Sequence, residues 1–337
     1  FSDTGSELWF SKSVDGGNTW ATKTLFVPVD DGVNSSFLQF TNPVVDPLSG
    51  RLYIPFLHFS DGNSDNVRLL VSDDGGDTFN FVAFNVPGAP DAFAFPNVTP
   101  GALNDCTSGG IRNVLHQGPS VATGRSGTFV YTQATRLISQ PSAAVFGGRF
   151  LFALNTSTSP IFGDPSAGSE IRVIFTKDGG KKWADPLTIA PSTAADPQHV
   201  HPAVTLDALG LTAWVGYYAQ QSNEQLRTDI ARLQVTGNKV KLRDTGHLST
   251  VSFDLTPSNV PLTLSPLNTT NYDRVVAHCY DIGEYMSVQS GAFFDSDNRV
   301  SAAWGDNRQR WTGPSGSAAP FEHAQPDVFF GRIGGGD

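Results

Sequence analysis

The residues of this chain best equipped for chemistry are His116, Arg136, His199, His201, Tyr218, Glu284, Tyr285, Asp306 and Arg308. His199-Val200-His201 is an i, i+2 pair, and in a regular strand that spacing turns both imidazoles to one face. With His116 and a carboxylate such as Glu284 the pair has the donor set of a metal site, although such pairs also occur as plain strand-edge residues. Glu284 and Tyr285 are adjacent, so within a regular strand their side chains leave on opposite faces. Arg136 and Arg308 offer planar guanidinium forks, which bind carboxylates in two-point fashion, and arginines gathered in one pocket therefore suit an acidic ligand. A histidine and a tyrosine placed together suit proton abstraction and donation instead.

Residues so scattered meet only if a repeating frame returns the chain to one place. The frame shows in three octapeptides: Ser13-Val14-Asp15-Gly16-Gly17-Asn18-Thr19-Trp20, Ser72-Asp73-Asp74-Gly75-Gly76-Asp77-Thr78-Phe79 and Thr176-Lys177-Asp178-Gly179-Gly180-Lys181-Lys182-Trp183. Glycine supplies a backbone angle closed to other residues, and the Asp and hydroxyl side chains bond turn amides, so each octapeptide reads as a tight hairpin between two strands. Short apolar runs alternating with polar residues, punctuated by 34 Gly and 22 Pro, read as half-buried strands throughout. Expected strands are 7–13 and 23–28 around the first octapeptide, then 42–45, 50–56, 67–72 and 81–86 as a complete four-strand unit. A loop of about thirty residues leads to 118–122 and 127–132, read as the first and second strands of a unit whose third is 170–176. Residues 137–168 read as an insertion, with 146–154 as an extra hairpin. Further units run 201–204, 210–218 and 228–235, with a plain Gly237-Asn238 turn, and 285–288, 299–304 and 327–333. Repeats of about fifty residues that cannot bury both faces alone form stacked or closed arrays.

The octapeptide Ser/Thr-x-Asp-x-Gly-x-x-aromatic resembles the Asp box, or BNR repeat, of sialidases and other β-propellers. The resemblance implies an all-β, sialidase-like β-propeller of four-stranded antiparallel blades, six in the intact protein, with boxes in the turns between third and fourth strands. Only one strand precedes the first box, so blades are expected before Phe1. One domain is expected over 1–333, with 334–337 as a flexible tail. Boxes of this family lie opposite the active site, which leaves Ser13, Asp15, Gly17, Trp20, Ser72, Asp74, Gly76, Phe79, Thr176, Asp178, Gly180 and Trp183 a structural role. The other end collects the ionisable residues named above, together with His58, Tyr217, Asp281, Glu322 and His323. By the resemblance Tyr285 is the nucleophile, Glu284 takes its proton, and Arg308 and Arg136 hold the sugar carboxylate; by their place at this end Asp306 joins the catalytic set and His116, His199, His201 and Tyr218 bind substrate. The chain departs from the family where Tyr53-Ile54-Pro55 lacks the arginine of the Arg-Ile-Pro motif, and the usual Asp acid/base is not identifiable. The implied function is a secreted, extracellular or periplasmic, glycoside hydrolase of exo-sialidase type acting on a terminal acidic sugar. Its rivals are a non-catalytic glycan-binding or scaffolding propeller and a polysaccharide lyase using His and Tyr.

A net charge of −10 and a pI near 5.0 argue against nucleic acid as a partner, and the resemblance implies a glycan or polysaccharide. No apolar run is long enough to span a membrane and no leader peptide is read at the start, so a soluble chain without membrane insertion is expected. Cys106 and Cys279 are the two cysteines. Both precede expected first strands and project toward one face, which predicts a bridge between them, with two buried thiols as the alternative. No cofactor is called for. A structural calcium ion at Asp295-Ser296-Asp297-Asn298 stays open, though that segment lacks the Gly and distant Glu of a calcium loop and reads equally as a polar turn.

Overall fold

The structure is a computed structural model. It describes residues 7–28, 36–39, 41–60, 66–82, 92–94, 120–122, 129–131, 142–158, 168–223, 225–254, 287–290, 300–312 and 322–333. Every named element among them is a strand, and every pairing is antiparallel. The first sheet pairs β1 (Leu8–Lys12) with β2 (Ala21–Phe26). In the second, β3 (Ser36–Gln39) and β4 (Val44–Val45) both lie on β5 (Leu52–Ser60), followed by β6 (Asn66–Ser72), which carries β7 (Asn80–Phe81) and β8 (Ala92–Ala94). A small pair, β9 (Ser120–Ala122) and β10 (Phe129–Tyr131), stands by itself. The next sheet is β11 (Ser142–Phe146), β12 (Arg149–Ser157), β13 (Ser169–Thr176) and β14 (Leu187–Ala190), in chain order. Then come β15 (Gln198–Leu206), β16 (Thr212–Gln220), β17 (Gln225–Thr236) and β18 (Lys239–His247), with β19 (Phe253–Asp254) beside the start of β17. The last sheet is β20 (Ser287–Ser290), β21 (Val300–Thr312) and β22 (Glu322–Ile333).

Stacked sheets bury a core between each successive pair. Leu8, Phe10 and Phe26 pack on Ile54, Phe56 and Leu70. Tyr53, Leu69 and Val82 meet Phe150, Phe152 and Ile174, with the Tyr53 and Phe150 rings stacked 4.9 Å apart. Ile171, Val173 and Phe175 meet Val215, Tyr217 and Ala231. Val200, Tyr218 and Ile230 meet Val300 and Trp304. The first strands β4, β11, β15 and β20 stand side by side through this succession. That position explains why β15 is buried at all nine residues, whereas the outer strand β18 is mostly exposed. Among the described residues no strand joins the last sheet back to the first.

Two sequence expectations are corrected. Residues 146–154 are not an inserted hairpin: β11 and β12 are the first and second strands of the sheet whose third is β13, joined by Gly147-Gly148 at φ 59° and 74°. A Gly-Gly pair between alternating segments is a two-residue hairpin signal, and it wins over the more distant segments 118–122 and 127–132, which form the separate β9–β10 pair. The strands of the last sheet also run longer than expected, and β21 continues four residues beyond Arg308 to Thr312.

The three octapeptides form near-identical turns after β1, β6 and β13. The Ser13, Ser72 or Thr176 hydroxyl donates to the Asp carboxylate at 2.8, 2.8 and 2.9 Å. The same hydroxyl accepts the N–H of Gly17, Gly76 or Gly180 at 2.7, 2.8 and 3.1 Å. Each carboxylate then accepts the N–H of Thr19, Thr78 or Lys182. Thr19 and Thr78 add a hydroxyl bond that Lys182 has no group to make. The side-chain and backbone bonds from Thr19 hold the Asp15 carboxyl down at about 2. Each later turn also grips the sheet before it. A methyl group on Gly76 would stand 2.6 Å from Phe10, and one on Gly180 would stand 2.6 Å from Val82.

Asp46, in the β4–β5 turn, makes the other fastening at this end. Its carboxylate accepts the N–H groups of Gly147 at 2.8 Å and Gly148 at 2.9 Å in the adjacent sheet, as well as local bonds from Leu48 and Ser49. Burial would raise this carboxyl, but the bonds from Ser49, Gly147, Leu48 and Gly148 bring it below its ordinary value.

Candidate functional site

Antiparallel order puts the octapeptide turns and the first-to-second-strand turns at one end of each sheet, and the starts of the first and third strands at the other. In the β15–β18 sheet that other end is crowded with ionisable groups, distributed over both faces. Tyr217 and Tyr218 are consecutive and point oppositely, Tyr217 into the core toward β11–β14 and Tyr218 into the core toward β20–β22.

On the first face a row of side chains crosses the sheet. Tyr217 is directly opposite Asp229, and Asp229 is opposite His247. The His199 ring meets the Tyr217 ring edge-on at 5.6 Å. Arg227 grips Asp229 with two bonds of 2.8 Å and reaches Asp196 at 3.2 Å. The His247 Nδ1 lies 2.7 Å from the same Asp229, and its side chain is 62% exposed, so the row runs from a buried end to solvent. Ser169, at the start of β13, holds the His199 backbone from the neighbouring sheet: its hydroxyl accepts the His199 N–H at 2.9 Å and donates to the His199 carbonyl at 2.8 Å. Burial lowers the His199 imidazole pKa, partly opposed by the Ser169 backbone, Asp196 and Asp229. Its Nδ1 is buried without a hydrogen-bond partner. Tyr217 is pushed up by burial and by Asp229, which keeps its phenol protonated. A neutral imidazole beside a neutral phenol is an acid–base pair in its resting state.

The second face is shaped by two bulges, each containing or opposing a proline. In β15 the register steps from Val200 opposite Tyr218 to Ala203 opposite Gly216, leaving His201 and Pro202 against the single residue Tyr217. In the last sheet it steps from Asp306 opposite Asp327 to Gln309 opposite Gln325, leaving Asn307 and Arg308 against Pro326. A proline has no N–H for the ladder, and an extra residue relieves the mismatch. His201 stands at φ 52°, a left-handed angle held by a non-glycine residue just before proline. Such a conformation costs about 1–3 kcal/mol and persists only where surroundings enforce it. His201 is buried with its ring edge-on to Tyr218 at 6.2 Å. The Tyr218 hydroxyl donates to the Gly305 carbonyl at 3.0 Å and accepts the Gly305 N–H at 2.9 Å, tying the two bulged sheets together.

The bulge overturns the expected histidine geometry. His199 sits with Tyr217 and His201 with Tyr218, so the imidazoles point into different cores and not to one face. Among the described residues no group of three or more His, Cys, Asp and Glu stands within metal-binding reach. Tyr218 is 0% exposed, with its hydroxyl spent on Gly305. By their backbone Asp306 is the last paired residue before the β21 bulge and Arg308 lies within it, and Glu322 and His323 belong to β22. His116, Arg136, Asp281, Glu284, Tyr285, the Cys106–Cys279 pair and Asp295–Asn298 lie outside the described residues. His58, at the corresponding end of β5, packs its ring on Phe26 at 5.6 Å. Arg68 beside it lies between the rings of Phe26 and Phe81, at 4.5 and 4.2 Å. Sequence reasoning passed over Arg227, Asp229, Asp196 and His247. The Arg227-x-Asp229 spacing, which places both side chains on one strand face, was the available signal.

No protein-family model matches the chain, and no curated protein matches it. Among solved structures it is similar to the NanB sialidase from Streptococcus pneumoniae, at 11% identity and a TM-score of 0.41, over 87% of this chain and 32% of that one. It is similar to the intramolecular trans-sialidase from Ruminococcus gnavus at 12% identity and a TM-score of 0.43, over 96% of this chain and 49% of that one. The leech intramolecular trans-sialidase gives 13% and 0.43, over 96% and 35%. The chain thus spans a third to a half of the length of these proteins.

Proposed function

We propose that this chain is a secreted, sialidase-like β-propeller that hydrolyses a terminal acidic sugar from a glycan, and that its three octapeptide turns are Asp boxes. The turn hydrogen bonds, repeated three times after a third or corresponding strand, support the box reading. The observation that carries the functional reading is the Tyr218–Gly305 tie. It brings the strained His201 bulge of β15 against the strand that carries Asp306 and Arg308, at the end of the sheets away from the boxes. Strain and bulges concentrated at one end of a scaffold mark where a fold is shaped for a ligand. In this reading Tyr285 is the nucleophile, Glu284 accepts its proton, and Asp306 completes the catalytic set. Arg308 and Arg136 bind the sugar carboxylate, His116, His199 and His201 are the further substrate-binding residues, and Tyr218 serves the site from the core beneath it.

Turnover of a fluorogenic sialoside and binding to a glycan array, measured on parent, Arg308→Ala and Tyr285→Phe, test it. Arg308→Ala should weaken binding or turnover of the acidic glycan at least tenfold, as expected for about 1.5–3 kcal/mol from a charge-assisted bond. Tyr285→Phe should abolish turnover and spare binding. Full activity of Arg308→Ala refutes the acidic-sugar reading, and a parent that binds without turnover is a glycan-binding propeller.

The His199–Tyr217 pair favours a second reading, a polysaccharide lyase. There a neutral His199 takes the proton α to a uronate carboxyl as the C–O bond breaks and the C=C bond forms, and Tyr217 protonates the departing oxygen. An unsaturated product that absorbs in the ultraviolet, lost in His199→Ala, would establish it over hydrolysis.

A further inference from the structure

Tyr218 sits too deep to touch a ligand, yet its hydroxyl is committed to one point on the neighbouring sheet. It donates to the carbonyl and accepts the N–H of the same residue, Gly305, at 3.0 and 2.9 Å. A phenol can do both at once because its oxygen is donor and acceptor together. Gly305 is opposite Val328, the last register before Asp306–Asp327, and beyond that pair β21 carries one residue more than β22. Pro326 on the partner strand has no N–H with which to restore the ladder there. The β21 backbone therefore enters its bulge from a residue fixed by Tyr218. Tyr218 in turn stands one register before the other bulge, opposite Val200, with the His201 ring against it.

We propose that Tyr218 is a positioning residue: its hydroxyl fixes the backbone from which the Asn307–Arg308 bulge springs, and so sets where that bulge presents Arg308 to an acidic ligand. The inference rests on the acidic-sugar reading above and deepens it. Bulges next to binding sites re-aim side chains, and the groups that hold a bulge in place set the precision of the site.

The test uses Tyr218→Phe, which keeps the ring and its packing and removes only the oxygen, alongside Arg308→Ala and the double variant. Two measurements are made on the whole chain: amide hydrogen exchange of the 300–312 segment, and kcat and KM on a fluorogenic sialoside. Tyr218→Phe should speed exchange at Gly305 and Asp306 about tenfold. It should raise KM about tenfold while kcat changes less than about twofold, the pattern of lost ligand binding. In the Arg308→Ala background it should add little, because both act through one contact. A fold-stabilising role alone would lower the melting temperature with KM unchanged and with additive effects in the double variant, and that outcome overturns the proposal. Unchanged exchange at Gly305 overturns it too. A parent with normal exchange but neither turnover nor binding of the sialoside overturns the acidic-sugar reading and the positioning role with it. A parent active on the sialoside whose KM ignores Tyr218→Phe sinks the positioning role alone.

Discussion

Replacing Asp46 with alanine should be among the most damaging single changes in the described part of the chain. The carboxylate is 1% exposed and accepts four bonds, of which two cross to the adjacent sheet at Gly147 and Gly148. Truncation removes both inter-sheet bonds and leaves two turn N–H groups facing a cavity. Each hydrogen bond to a charged group contributes about 1.5–3 kcal/mol, so the expected loss from the two inter-sheet bonds is about 3–6 kcal/mol. Ser49→Ala removes one of the local bonds to Asp46 and the longer 3.3 Å bond that the Ser49 hydroxyl accepts from the Arg51 N–H, and should cost about 1 kcal/mol. Asp46→Asn, which retains one carbonyl oxygen, should fall between. Equilibrium urea unfolding with a common slope measures all three. The pH dependence has a definite sign. Because the Asp46 carboxyl is held below its ordinary 3.8, its contribution is complete above that value and is lost as pH falls through the lowered folded pKa. Asp46→Ala should therefore close the gap to the parent in strong acid. An Asp46→Ala protein within about 1 kcal/mol of Ser49→Ala at neutral pH would refute the view that this carboxylate fastens one sheet to the next.

Gly180→Ala should cost at least about 2 kcal/mol, from a left-handed angle of 95° and a methyl group 2.6 Å from Val82, while Gly237→Ala, with open space around it, should cost about 1 kcal/mol. Equal stabilities for the two would show that the turn does not press on the preceding sheet. Burial, and secondarily Arg68, lowers His58 to about 4 from 6.5, so its neutral form is favoured by folding. Stability should fall by up to about 2–3 kcal/mol as pH drops from 6.5 to 4, because the unfolded chain takes up the proton first. Chemical unfolding across that window should be flatter for His58→Gln, and an unchanged slope would place the imidazole in solvent. Asp15→Ala and Asp74→Ala should lower the melting temperature and leave turnover per folded molecule unaltered. A changed KM in either would move the binding site to the turn end.

What was legible in the sequence was whatever is made by neighbours in the chain. The octapeptide turns use bonds between residues two to four apart, and their types and spacing announce those bonds. The strand leading into Gly237-Asn238 and the turn itself were legible for the same reason. The β11–β12 hairpin was misassigned because an alternating apolar run has no label saying which sheet it joins. Gly147-Gly148 was the local clue, and the Asp46 bonds that seat the hairpin come from about a hundred residues away. The histidine pair was misread because i, i+2 spacing decides a face only in an unbroken strand, and Pro202 breaks this one.

The two ends of these sheets spend their polar groups differently, and the difference bears on where function resides. At the turn end hydroxyls, carboxylates and glycine amides satisfy one another within a few residues, glycines take the left-handed angles, and the result is low strain and rigid joints. At the opposite end a histidine takes a left-handed angle, the ladders of two sheets slip beside prolines, and an imidazole nitrogen is buried without a partner. The contact that reconciles the two bulges joins Tyr218 to Gly305, 87 residues apart. A scaffold optimised only for stability would replace His201 with glycine and give the His199 nitrogen a partner, since each change recovers about 1 kcal/mol or more. The cost is carried at one end of the sheets because the rigid end offsets it, and in the function proposed above the strained groups are already in place when the acidic sugar arrives.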